Sequence, residues 1–196
     1  HGAGSGPWVF DGWLDAFGDL AVEAVDLQEG LDVSSASMRD YAANVDRRVA
    51  GLPQPVALCG WSMGGLVVLQ VAGHVTPHSV VVIEPSPPGE VQGFAPAASA
   101  REGLFDPEAV YGRFPPGVRA RPESQLARAE RKRGISVPTL PCPSLVVYGN
   151  EFADVRGKRV AALYRSRRAF FPGLDHWQLV LSSDVRRTVA DFLAVD

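Results

Sequence analysis

The chain predicts an α/β fold, a mostly parallel sheet with helices on both faces, and three observations carry that prediction. Short apolar runs of β-formers alternate with longer helical patterns, as parallel βαβ units require. One run leads through Gly60-Trp61-Ser62-Met63-Gly64-Gly65 directly into an unbroken apolar segment at 66–72. Finally Ser62, Glu84, the residues after Gly149 and the loop with His176 all fall just past predicted strands, at the edge where ligands of such sheets sit.

His1-Gly2-Ala3-Gly4-Ser5-Gly6 opens the chain as a glycine-rich loop, and apolar spacing over 8–20 predicts a helix. Residues 22–27 read as a short strand. Ser37 is an N-cap with Asp40 at the third position of a helix over 38–50. Pro53 and Pro55 close the connection, and 55–59 form the strand before Ser62. The run 80–83 is β-branched throughout, ends at Glu84 and is stopped by Pro85.

Residues 86–138 break the alternation. Asp106-Pro107-Glu108 carries an N-cap followed by an N1 proline. A second helix over 122–133 is charged, and its Arg128, Arg131, Lys132 and Arg133 read as a solvated face. This predicts a small helical cap at 86–138, inserted into a core of 1–85 and 139–196. Beyond it, 145–148 is a strand, 155–164 a helix with Asp154 as its N-cap, 169–171 a short strand and 183–194 the last helix.

Bulk properties narrow the partners. The 196 residues suffice for one domain, and 46% hydrophobic with 21% charged content is ordinary for a globular protein. A net charge of −3 gives no reason to expect nucleic acid or an acidic membrane. No apolar run reaches the length of a membrane span. Cys59 and Cys142 read as small core residues of a reducing compartment, which predicts a cytoplasmic protein, with a single disulfide as the alternative. There is no metal-ligand cluster and no phosphate or dinucleotide loop, so no cofactor is expected and the partner is a small-molecule substrate.

The serine turn carries the chemistry. A sharp strand-to-helix turn strains the serine backbone, and bulk at Gly60 or Gly64 would strike the adjoining elements. A neutral hydroxyl attacks poorly without a base, and His176 is the leading one. His74 and His78 fall at the end of the helix after Ser62 and just beyond it, as surface residues. Two carboxylates are open as the third member, Glu84 ahead of Glu151, with Asp154 behind both. A carboxylate directly after Val-Val-Val-Ile is costly to bury unless paired, and a histidine supplies that pair. Asp175 adjoins His176 too closely in sequence to bond its ring. Trp61, Phe152 and Trp177 are candidates to line an apolar pocket, together with Trp8.

With His-Gly-Ala at 1–3, Gly-Trp-Ser-Met-Gly-Gly at 60–65, the strand ending at Gly149 and Gly-Leu-Asp-His-Trp at 173–177, the chain resembles the α/β-hydrolase superfamily over nearly its whole length. The resemblance implies an α/β-hydrolase fold and a serine hydrolase acting on a small carboxylic ester or thioester. It also implies oxyanion donors at the backbone of Met63 and Ala3, with His1 in a structural role. Two departures stand out. Phe152 occupies the position where most members place their acid, and the strands that normally precede His-Gly are absent, so that the chain reads as a fragment. A serine nucleophile argues against dehalogenation and epoxide opening, which use aspartate in this superfamily. The alternatives are a cofactor-free acyltransferase or perhydrolase, and a non-catalytic ligand-binding protein that keeps the fold.

Overall fold

In chain order the computed structural model has a 3-10 turn (Pro7–Trp13), α1 (Met38–Val49), β1 (Ala57–Trp61), α2 (Met63–Val75), β2 (Ser79–Ile83) and α3 (Gly89–Gln92). There follow β3 (Leu104–Phe105), α4 (Pro107–Tyr111), β4 (Glu123–Ser124), α5 (Gln125–Arg133) and β5 (Ser144–Tyr148). A π-helical turn (Ala153–Lys158), α6 (Arg159–Tyr164), β6 (Arg167–Phe170), α7 (His176–Leu181) and α8 (Ser183–Leu193) complete it. The structure describes residues 1–14, 16–18, 20–97, 99 and 101–194.

The central sheet is parallel, in the order β1-β2-β5-β6. Its inner strands β2 and β5 are buried at every position and, past Ser79 and Ser144, apolar throughout, because both faces are covered. Val80, Val82 and Val146 turn to one core with α1, α2 and α6, while Val81, Ile83, Leu145 and Val147 turn to another with the 3-10 turn, α7 and α8. Helix α2 runs through the first core with Met63 to Leu69, Val71 and Ala72 all buried. Helix α1 begins as expected: Ser37 and Asp40 form a reciprocal capping box.

Several expectations are corrected. The helix over 8–20 contracts to the 3-10 turn, since Leu14 (44% exposed) and Leu20 (55%) offer no buried face; Asp15 and Asp19 lie outside the described residues. Residues 22–27 form no strand. Their last backbone groups go to side chains instead of a ladder: the Leu27 N–H donates to His1 Nε2 at 3.1 Å and the Leu27 carbonyl accepts from Asn44 Nδ2 at 3.0 Å. The 122–133 helix gives up its start to β4, which pairs antiparallel with β3, and begins only after the Ser124 cap. Arg131 is no surface charge but 8% exposed. Asp154 does not cap the helix after it, because a π-turn runs from Ala153, with Phe152 at the capping position and no side-chain bond there. Both cysteines are free thiols, and burial pushes Cys59 up to about 12. No helix among the described residues is long and apolar enough to cross a membrane.

Residues 86–138 hold α3, β3, α4, β4 and α5, and one buried carboxylate is among the groups that fasten them to the rest. Glu123, fully buried, accepts from the Tyr41 hydroxyl, from Ser124 N at 3.0 Å and from Gly4 N at 3.3 Å. Burial, then the charge of Glu123, pushes the Tyr41 phenol far above its ordinary value, so the phenol stays protonated and donates.

Candidate active site

Parallel register sets the site. Trp61 pairs with Ile83, and Ile83 with Val147, so the residues just past three adjacent strands, Ser62, Glu84 and Gly149, come side by side. Ser62 N donates to Ile83 O at 3.0 Å, and Glu84 N to Val147 O at 2.8 Å.

Ser62 has φ 56° and ψ −119°. Such a conformation costs about 1–3 kcal/mol and persists only where the surroundings over-determine it. Here the Ser62 carbonyl accepts from Gly65 N at 3.1 Å and Ser86 N at 2.7 Å. The Ser62 side chain makes no capping bond to α2, which leaves the hydroxyl free for other work. The flanking glycines are needed for space. A Cβ on Gly60 would lie 2.3 Å from Gly64 O, and one on Gly64 would lie 2.6 Å from His1 O. Gly65 is equally constrained, with Pro85 Cβ at 2.6 Å, a requirement visible only in three dimensions.

Glu84 is fully buried, with φ 38°. Its Oε1 accepts from Gly149 N at 2.8 Å, and its Oε2 lies 2.7 Å from His176 Nδ1. A carboxylate only accepts, so Nδ1 carries the hydrogen, and Nε2 is left as the ring's acceptor. His176 is not in a loop, as expected, but is the first residue of α7, whose N-cap is Asp175 in a capping box with Gln178. That assigns Asp175 a local role, consistent with its exclusion as a ring partner. Trp61 Nε1 donates to the His176 carbonyl at 3.0 Å, and the Trp61 and Phe152 rings lie 4.9 and 5.5 Å from the imidazole. The side chain of His176 remains 18% exposed.

Of the other two carboxylates, Glu151 Oε2 accepts from His176 backbone N at 3.4 Å and does not meet the ring. Asp154 is exposed on the π-turn.

The 1–6 loop is pressed onto the serine turn. A Cβ on Gly2 would lie 2.6 Å from the Trp61 ring and 3.1 Å from Ser62 Cβ. His1 is 4% exposed; its Nδ1 donates to Gly2 O at 3.0 Å and its Nε2 accepts from Leu27 N. Asp26 approaches Nε2 at 3.4 Å and pairs with Arg121 at 3.0 Å. The His1 contact, then Arg121, holds its carboxyl well below the usual range against the opposing effect of burial. Met63 is the first residue of α2, so its N–H has no intrahelical acceptor.

The aromatic candidates divide. Trp61, 2% exposed, is a support beneath His176. Trp177 and Phe152 are half-buried; Trp177 touches Trp61 at 4.7 Å and Phe114 at 4.8 Å between ring centres. Trp8 lines a surface cleft of about 460 Å³ with residues 117 and 119–122, and Ser62 is not among its lining residues. His74 pairs with Asp46 at 2.8 Å on the far side of α2. Tyr111, Phe114, Arg131 and Arg156 stand near this site without any sequence spacing that marks them.

Comparison with known proteins places the fold. A family model described as the alpha/beta hydrolase family matches residues 1–192. No curated protein is matched by sequence. Among solved structures, an E-2-(acetamidomethylene)succinate hydrolase is 21% identical, covering 98% of this chain and 89% of its own, with TM-score 0.68. A methylesterase from Arabidopsis is 21% identical over 98% and 94%, with TM-score 0.66. A monoacylglycerol lipase from Paleococcus ferrophilus is 17% identical over 98% and 91%, with TM-score 0.63.

Proposed function

The chain belongs to the alpha/beta hydrolase family, and on that premise we propose that it is a serine hydrolase cleaving a small carboxylic ester or thioester through an acyl-enzyme. The observation that carries the reading is the 2.7 Å contact between His176 Nδ1 and the buried Glu84. Ser62 Oγ attacks the acyl carbon as His176 Nε2 takes its proton, and Glu84 stabilises the imidazolium. The N–H groups of Met63 and Ala3 receive the oxyanion. His176 then gives the proton to the leaving alcohol or thiol, and water, activated by the same imidazole, releases the acid and restores Ser62.

Glu84 supplies the acid in place of the residue usual at the position of Phe152. Residues 86–138 act as a small cap, a reading supported by Glu123 reaching Gly4 and by Phe114 packing on Trp177. The free thiols fit a reducing compartment, the cytoplasm.

The test is turnover of 4-nitrophenyl acetate. The wild type is expected to hydrolyse it and Ser62→Ala to lose at least about a thousandfold in kcat/KM. Equal turnover by both, or none by the wild type across a panel of short acyl esters and thioesters, contradicts the reading.

A further inference from the structure

Two arginines stand beside this site without a carboxylate partner. Arg131, in the last turn of α5, is 8% exposed. Among the described residues no carboxylate lies within ion-pair distance of it or of Arg156. Arg131 Nη1 is 2.6 Å from Met63 Sδ and 3.6 Å from Met38 Sδ, and its Nη2 is 3.3 Å from Tyr111 Oη. A guanidinium has five donors in a planar fork suited to a carboxylate, and thioether sulfur is only a weak acceptor. Glu123, the buried carboxylate of this region, is committed to Tyr41, Gly4 and Ser124.

Arg156 stacks on Phe152 at 4.0 Å, and Phe152 meets the His176 ring edge-on. Burial lowers the Arg156 pKa, Glu84, Glu151 and Tyr111 act to raise it, and Arg131 lowers it. Tyr111 is common to both: its Oη lies 3.3 Å from Arg131 Nη2, and it also acts on Arg156. Arg131 contacts the residue directly after Ser62, and Arg156 the aromatic against His176. Glu84, committed to His176 and Gly149, and Glu151 act on Arg156 from beyond ion-pair distance, so the guanidinium forks keep donors for an added carboxylate.

We propose that Arg131 and Arg156 form an anion subsite that selects substrates carrying a carboxylate beside the scissile group, such as the monoester of a short dicarboxylic acid. The chemistry rests on the serine hydrolase reading; the binding does not. Arg131 gives the deeper contact, and Arg156, half-buried, receives the carboxylate nearer the surface.

Two measurements test it on the full chain. The first compares kcat/KM for the 4-nitrophenyl monoester of succinic acid with that for 4-nitrophenyl acetate, in wild type, Arg131→Lys, Arg131→Gln and Arg156→Gln, with each variant's fold checked by circular dichroism. The wild type is expected to prefer the monoester at least about tenfold, and Arg156→Gln or Arg131→Gln to remove most of that preference. Arg131→Lys should retain part of it. Arg156→Gln keeps the test decisive should the buried Arg131 variants unfold. The second titrates succinate into Ser62→Ala, with and without Arg156→Gln, by calorimetry. Saturable binding that weakens at least about tenfold with Arg156→Gln is expected. Succinate binding of this kind without ester turnover would keep the subsite and sink the hydrolase reading. Ester turnover with no charge preference and no succinate binding would sink the subsite and keep the hydrolase. An unchanged preference in folded Arg156→Gln and Arg131→Gln would also overturn it.

Discussion

Ser62 and Glu84 both have positive φ, 56° and 38°, at the ends of neighbouring strands. Strain at two adjacent strand ends is tolerated because the register above them is fixed and each carbonyl or carboxylate is held by backbone N–H groups. Asp26 is a different kind of polar anchor, tying His1 and Arg121 together. Its folded pKa lies below its ordinary value, so its stabilisation is present above about pH 4 and is lost as pH falls through the folded value. Asp26→Asn is expected to destabilise by about 1 kcal/mol at pH 7. That gap should narrow steadily below about pH 4, read by urea denaturation at several pH values. A gap independent of pH would mean that the carboxylate's charge is not what holds the loop.

At the scale of elements, the serine turn depends on contact between α2 and the glycine loop before it. A Cβ at Gly64 meets backbone atoms of His1, O at 2.6 Å and N at 2.7 Å, and backbone cannot rotate away as a side-chain tip can. Gly64→Ala should therefore push the 1–6 loop off the turn while leaving the sheet intact. Ester hydrolysis is expected to fall by about a hundredfold, since a misplacement of about 1 Å costs that much. Far-ultraviolet circular dichroism should be nearly unchanged. Activity at the wild-type level would show that the loop's position is irrelevant to the chemistry. The turn and α1 were legible because their signals are local: glycines at fixed offsets, and a serine with an acid three residues on. Residues 22–27 show the opposite case. Their composition is that of a strand, but a strand exists only with a neighbour to bond, and periodicity says nothing about the neighbour.

Across the whole molecule, the parallel sheet was the easiest feature to read, because Val80 to Ile83 and Leu145 to Tyr148 are apolar at every position and both faces are covered. The 86–138 segment was hardest. Its apolar anchors, Val91, Ala127 and Val137, are scattered, and its polar contacts are single groups at long range: neither Glu123 under Tyr41 nor Arg131 against Met63 follows a period. The same limit applied to the acid of the site: burial economics favoured Glu84 over Glu151, but only the 2.7 Å contact to Nδ1 distinguishes them in space. Tyr41→Phe probes the long-range joint. It leaves the buried Glu123 without its phenol and should cost about 1–3 kcal/mol, measured as a lower urea midpoint. An unchanged midpoint would mean that Ser124 and Gly4 satisfy the carboxylate by themselves.

The central claim is that Ser62 is activated by His176 held by Glu84, and fluorophosphonate labelling rates test it most directly. The wild type should label, Ser62→Ala not at all and His176→Ala at a small residual rate. Glu84→Gln should slow labelling by about a thousandfold or more, and Glu151→Gln by less than about tenfold. Labelling that survives Glu84→Gln but collapses in Glu151→Gln would contradict the assignment of the acid. A folded protein that does not label at all would contradict the activated serine itself.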